Sequence, residues 1–261
     1  MIDTHSHMYS EQFNDDRAAA ISRSQQQGIE FILLPNIDVD SIDALHSLAD
    51  THKNCLPMMG LHPCSVDENV IKSLSIIKHE LFNNHRKYIA VGEIGIDLYW
   101  DRTHIEAQKN AFRTQISWAK ELDLPIVIHA RDSMGEILDI LDEEYTSELR
   151  GVFHCFSGDD DDARRILAYK TFLFGIGGVV TFKNSKLPLV LKEIPLAKIL
   201  LETDAPYLAP TPFRGKRNES AYLSYIADKL SDVYECTVDV IKEATSKNAE
   251  GLFQISKFVN S

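Results

Sequence analysis

Two histidines one residue apart, His5 and His7, close a short apolar opening that reads as a strand. Side chains alternate along a strand, so residues two apart face one side. Neutral imidazole is the commonest metal ligand, and a His-x-His pair at a strand end can grip one ion with two ring nitrogens. Groups of the same chemistry recur at the ends of later apolar runs: His62, Glu93, His129, His154 and Asp204. Taken singly, each has an ordinary explanation as a hydrogen-bonded core histidine, a helix cap or a turn acid. Taken together, His5, His7, His129 and His154 with Glu93 and Asp204 suffice for two adjacent divalent ions, with His62 to spare. His46, His52, His79, His85 and His104 fall in helices or loops and read as surface.

A mixed imidazole and carboxylate set without thiolate suits Zn, Mn, Fe or Ni. Mg favours carboxylates and water, which makes several histidines a less natural set for it. Two ions roughly 3.5–4 Å apart activate a water and clamp both oxygens of an in-line displacement. Glu93 could bridge them, and Asp204 could bind one ion and take the proton of the water. The reaction class is then metal-assisted hydrolysis of an ester, amide or phosphodiester.

These groups need a scaffold that gathers strand ends. After the opening strand, apolar runs at 31–35, 56–63, 88–93, 125–130, 151–155, 172–177 and 198–204 read as seven more strands. Between and after them, periodic segments predict helices over 13–28 (stopped by Gly28), 40–51, 65–82 (capped by Ser65), 103–122, 133–145, 159–169, 184–194 (broken by Pro188), 220–230 and 238–253. Continuous apolar strands are covered on both faces, and strand–helix alternation implies a parallel sheet. Eight such units predict an α/β fold of the TIM (β/α)8 barrel type, whose active site lies at the C-terminal ends of the strands. A doubly wound open sheet is the rival, but no Gly-rich phosphate turn follows an early strand.

Composition sets the remaining bounds. The 261 residues are 44% hydrophobic and 25% charged, and are expected to form one domain over 1–261. A net charge of −12 argues against broad duplex binding, which needs Lys and Arg on phosphates, but leaves room for a local contact with a nucleic-acid end. Cys55, Cys64, Cys155 and Cys236 form no Cys-x-x-Cys pair and read as reduced thiols of a cytoplasmic protein. No run approaches a membrane span, and no secretory signal is expected.

The joint motifs carry a resemblance. Asp3-Thr4-His5-Ser6-His7, Gly60-Leu61-His62-Pro63, Gly92-Glu93-Ile94-Gly95-Ile96-Asp97, the stretch from Leu124 to Arg131, Phe153-His154-Cys155-Phe156-Ser157-Gly158 and the stretch from Leu201 to Leu208 resemble the TatD family of metal-dependent deoxyribonucleases, within the amidohydrolase-like barrels. Gln108, Phe112 and Gln115 match that family's long helix. The resemblance implies one ion held by His5, His7, Glu93 and Asp204 and a second by Glu93, His129 and His154. It implies exonuclease-like DNA cleavage, often from the 3′ end, with two divalent ions (Mg, Mn or Zn). Ser220 stands where many relatives carry proline, a departure that touches local loop shape.

DNA ends or single strands are therefore the expected partner, with His62, Arg131 and Arg214 as substrate contacts. The basic stretch Arg214-Gly215-Lys216-Arg217 could hold phosphates, and Tyr99, Trp100, Phe182, Tyr207 and Phe213 could stack bases. Hydrolysis of a small ester or amide, or of aminoacyl-tRNA, would use the same site. A non-catalytic metal-binding barrel is the expectation from another class.

Overall fold

The computed structural model describes residues 1–260. Eight parallel strands follow one another in chain order: β1 (Ile2–Asp3), β2 (Phe31–Leu34), β3 (Cys55–Pro57), β4 (Val91–Asp97), β5 (Ile126–Arg131), β6 (Gly151–Phe153), β7 (Phe172–Ile176) and β8 (Ile199–Leu201). They pair as β1-β2-β3 and β4-β5-β6-β7-β8. Two parallel bridges, Met59 with Val91 and Ser6 with Ala205, join the sheets into a closed ring, as expected of the (β/α)8 barrel. The second seam carries backbone bonds from Thr4 to Leu201 (3.0 Å), Asp204 to His5 (2.9 Å) and His7 to Ala205 (2.7 Å). Buried Asp3 locks it further, accepting from the Thr203 amide (2.9 Å) and hydroxyl (2.6 Å).

The helices are α1 (Arg17–Gln26), α2 (Ile42–Thr51), α3 (Val70–Asn83), α4 (Ile105–Leu122), α5 (Met134–Glu144), α6 (Asp160–Ala168), α7 (Leu187–Val190), α8 (Leu223–Tyr234), α9 (Val238–Phe253) and α10 (Ile255–Val259). None of them is long and apolar enough to cross a membrane. Alternation along the strands divides the core. Leu33, Leu56, Val127, Val152 and Leu200 cluster with Leu252, Phe253 and Ile255 from α9 and α10, while Ile32, Leu34, Ile128, Phe153 and Phe174 pack with the surrounding helices. Asn248 of α9 donates to the carbonyl of Ile199 (2.8 Å) at the start of β8, so α9 closes the N-terminal end of the barrel. Two residues beyond Val127, Val152 and Leu200, the same register reaches His129, His154 and Glu202.

Several boundaries differ from the sequence expectation, each for a local reason. Ser65 belongs to a 3₁₀ turn, Pro63–Ser65, and α3 starts five residues later. Pro188 does not break its helix; it sits in the first turn of α7, where its missing N–H costs nothing. The helix expected from 13 begins only at Arg17, after a 3₁₀ turn at Glu11–Phe13, and α10 was not expected at all. Most consequential, β4 runs past Glu93 to Asp97.

That extension depends on glycine. Gly95 has φ +148°, and a Cβ there would meet the His129 carbonyl oxygen at 2.0 Å. Gly95→Ala is therefore expected to cost about 3 kcal/mol or more, lowering Tm by about 6 °C or more in a thermal melt.

Candidate metal centre

The strand ends bring every expected chelating side chain to one buried cluster. Glu93, 2% exposed, lies at its middle, and its two oxygens face different neighbours. Oε2 is 3.0 Å from His5 Nε2 and 3.6 Å from His7 Nε2. Asp204 Oδ1 completes this side at 3.6 Å from His7 and 3.9 Å from His5. Oε1 faces His129 Nδ1 (2.8 Å), His62 Nε2 (3.3 Å) and His154 Nε2 (3.6 Å). Ligand bonds of about 2.0–2.1 Å in a tetrahedron place donors roughly 3.3–3.4 Å apart, and these separations bracket that value.

Local sequence explains how the group is gathered. Gly92 admits β5 closely, since a Cβ there would lie 2.7 Å from Val127 Cβ. Two buried glutamines of α4 hold the strand ends. Gln108 accepts from the Asp97 amide (2.8 Å) and donates to its carbonyl (3.2 Å). Gln115 does the same for Leu61, at 2.7 and 3.2 Å, next to His62. Asn36 donates to Gly60 O (2.9 Å), and its carbonyl accepts the Glu93 amide (3.2 Å).

Contacts on the far side of the rings of His7, His129, His154 and His62 set which nitrogen faces the cluster. Tyr9 donates its hydroxyl proton to Pro35 O (2.6 Å), so its oxygen accepts from His7 Nδ1–H (3.0 Å) and leaves the Nε2 lone pair facing inward. His129 Nε2–H donates to Asp97 Oδ2 (2.9 Å), which turns Nδ1 toward Glu93 Oε1 at 2.8 Å. His154 Nδ1 lies 3.0 Å from Glu202 Oε1, an ion-pair contact without hydrogen-bond alignment, and presents Nε2. His62 is the opposite case. Its Nδ1 accepts the Cys64 amide (3.0 Å), so a neutral ring carries its proton on Nε2, toward Glu93 and His129. His62, Glu93 and His129 have atoms close enough to hold a cation, yet this tautomer makes His62 a proton donor. It is no spare, as the sequence suggested, but part of the cluster.

The electrostatics follow from burial and from the one central charge. Burial pulls His5 and His62 below the usual imidazole range and His7 down to about 4. Burial also opposes ionisation of Glu93, but the fields of His62, His5 and His154 overcome it and hold the carboxyl well below its usual range. For His154, burial is outweighed by Glu202 and Glu93, which lift it to about 10. Burial raises Asp204 to about 7 despite His154 nearby. His5 Nδ1 is buried without a hydrogen-bond partner. Inward-facing imidazole nitrogens around a buried carboxylate fit a divalent cation, which would take the place of their inner protons and offset the desolvation of these groups.

Sequence reasoning missed three supporting residues. Asp97 lies four residues beyond Glu93 on the same face of β4, a signal hidden by ending that strand early. Glu202 lies two residues before Asp204 and also accepts the Cys155 amide (2.6 Å). Its carboxylate fits only because residue 175 is glycine, where a Cβ would stand 2.1 Å from Oε2. Tyr9 carried no motif. Among the expected substrate contacts, Arg131 stacks on Tyr99 with its guanidinium carbon 3.7 Å from the ring centroid, and Arg214 covers Phe182 at 4.3 Å. Arg217 is removed from any such role: it pairs with Asp16 (2.6 Å) and covers Phe13.

Strand ends of a closed parallel barrel carrying this donor set define a metal-dependent hydrolase, and the comparisons agree. The family model described as TatD related DNase matches residues 2–254. An uncharacterized metal-dependent hydrolase of Bacillus subtilis, YabD, is 38% identical over 98% of this chain and 100% of its own length. The crystal structure of YjjV, a TatD homolog from Escherichia coli, superposes with a TM-score of 0.91 at 30% identity, covering 97% of this chain and 98% of that one. A TatD family hydrolase of Entamoeba histolytica shares the fold with a TM-score of 0.85 at 20% identity over 97% of both chains. The chain belongs to the TatD family, and is a metal-dependent hydrolase of that family.

A raised pKa means that the folded chain keeps a proton the unfolded chain has lost. His154, at about 10 against a usual 6.5, therefore contributes stability that is fully present below pH 6.5 and is lost as pH rises through 10. Asp204, at about 7, acts in the same direction at lower pH. In a chelator, Tm is expected to fall between pH 7 and 10. Saturating Zn or Mn should raise Tm and flatten this slope, because the cation replaces the His154 Nε2 proton. Calorimetry at pH 8 in buffers of different ionisation heat should show about one proton released on metal binding.

Proposed function

We propose that this chain is a cytoplasmic, two-metal deoxyribonuclease, one catalytic domain over residues 1–261, that removes nucleotides from DNA ends, with the 3′ end favoured. The observation that carries this reading is the division of Glu93 between two donor sets, one at each oxygen. His5, His7, Glu93 and Asp204 would hold one ion, and Glu93, His129 and His154 the other. The family model's description supports DNA as the substrate. Four free cysteines support a reducing compartment.

Two divalent ions of the Mg, Mn or Zn class would supply an activated water and neutralise the phosphate oxygens of an in-line displacement. The chain's own groups do the rest. Glu93 is sealed from solvent and fixes the spacing of the two donor sets. Asp204 is the carboxylate that reaches the mouth, its side chain 12% exposed against 2% for Glu93, and it takes the proton of the attacking water. The Nε2–H of His62 points into the cluster and would donate a hydrogen bond to a phosphate oxygen. Asp97, Glu202 and Tyr9 orient His129, His154 and His7 so that their inner nitrogens face the cluster.

The test is digestion of 5′-labelled single-stranded DNA with Mg, Mn or Zn. Wild type should produce a ladder shortening one nucleotide at a time, and Glu93→Gln should lose at least about a thousandfold in kcat/KM. Full, chelator-sensitive cleavage by that variant would sink the assignment, and turnover of aminoacyl-tRNA or small esters in place of DNA would favour the other hydrolase reading. Salt gives an independent check. With Arg131, Arg214 and Lys216 as the mouth's cations, log kcat/KM should fall with log salt at a slope no steeper than about −2.

A further inference from the structure

The chelating side chains account for the middle of the mouth, not for the aromatic rings on its rim. Trp100 is 73% exposed and Tyr99 51%, the two most exposed aromatic side chains among the described residues. Both follow β4 directly, at the end of the barrel where the metal donors converge. The rings meet edge to face, centroids 4.8 Å apart at 89°, and the indole keeps most of its surface in solvent. The Arg131 guanidinium lies 3.7 Å from the Tyr99 centroid and 5.3 Å from that of Trp100. It makes no ion pair with a carboxylate among the described residues, in contrast to Arg217 and Arg23, which are both committed to acids.

This trio is built into the metal centre. Asp97 Oδ1 accepts the Tyr99 amide (3.0 Å), while its Oδ2 accepts from His129 Nε2–H (2.9 Å). Arg131 is the register partner of Asp97 across β4 and β5, and its carbonyl accepts the Leu98 amide (2.9 Å). One carboxylate thus fixes both an inward-facing imidazole and the loop that carries the rings. An exposed indole beside an uncommitted guanidinium complements a ligand that has both a flat ring and an anion.

We propose that Tyr99, Trp100 and Arg131 form a nucleotide station beside the metal centre. A nucleobase stacks on Trp100, and the phosphate attached to it pairs with Arg131. Tyr99 holds both in place from below. The proposal rests on the deoxyribonuclease reading for its biological ligand, but the station needs no metal and no turnover to bind.

Trp100 is its own reporter. The chain has two tryptophans, and the other, Trp118, is 4% exposed in the core. Metal-free protein is titrated with dAMP, deoxyadenosine, 2-deoxyribose 5-phosphate and inorganic phosphate while indole emission is followed. Quenching by dAMP at least about tenfold tighter than any response to deoxyribose phosphate is expected. Trp118→Phe should keep that response. Arg131→Gln should weaken dAMP and leave deoxyadenosine unchanged. By calorimetry, Trp100→Ala should lose about tenfold in dAMP affinity. On single-stranded DNA it should raise KM about tenfold, with a smaller change in kcat. Equal responses to dAMP and deoxyribose phosphate, or none to dAMP at about 10 mM, would overturn the station. So would DNA cleavage by Trp100→Ala with an unchanged KM, although nuclease activity would then stand. Quenching by dAMP with no hydrolysis of any DNA would support the station and overturn the nuclease reading instead.

Discussion

A charged carboxylate at the centre of a barrel mouth must be compensated, because an isolated buried charge in a low-dielectric interior is prohibitively costly. Glu93 meets this requirement with histidines from β1, β3, β5 and β6, the ends of four separate chain segments. Much of the surrounding structure follows from that constraint. The Asp3–Thr203 lock keeps β1 beside β8, so His5 and His7 arrive next to Asp204. Glycines at 92, 95 and 175 let backbones and one carboxylate approach to distances no Cβ would allow. Without a cation the cluster compensates itself with a protonated His154, which lies 3.6 Å from Glu93 and 3.0 Å from Glu202. Protonated and metal-loaded states are then alternative solutions to the same electrostatic problem.

The buried acids around the ring show how the chain selects between imidazole roles. Histidines that back onto an acceptor, whether Tyr9, Asp97 or Glu202, turn their other nitrogen to the interior, where a cation can take it up. His62 backs onto a donor, the Cys64 amide, and presents a proton. Residue type alone makes these side chains equivalent. Their chemistry diverges only through what lies behind them.

Much of this was legible in the sequence because the chemistry sits at positions the barrel makes predictable. Strand periodicity and the run of His, Glu and Asp at strand ends brought out the barrel and six of the side chains that cluster at its mouth. What stayed hidden had physical causes. Asp97 was lost because a glycine-rich strand reads as finished at Glu93, although Gly95 lets it continue. Tyr9 and Glu202 act through contacts between segments distant in sequence, which no local pattern reports. Arg217 looked like its neighbours Arg214 and Lys216, and only the fold shows Asp16 waiting for it. Helix starts at 65 and 184 went astray because 3₁₀ turns and a first-turn proline share the signals of caps and breakers.

The two glutamines of α4 lie seven residues apart, two turns on one face, a separation of about 10.5 Å along the axis. One grips the chain beside His62, the other the chain beside His129's partner Asp97. The helix thereby acts as a ruler laid against two strand ends, and the length of its segment between the glutamines is a dimension of the site. A residue inserted between them would turn one glutamine by about 100° away from its strand. Insertions in this helix are thus tolerable before Gln108 or after Gln115 but not between, so the helix's outer surface and ends are free to diverge while its middle keeps a fixed count.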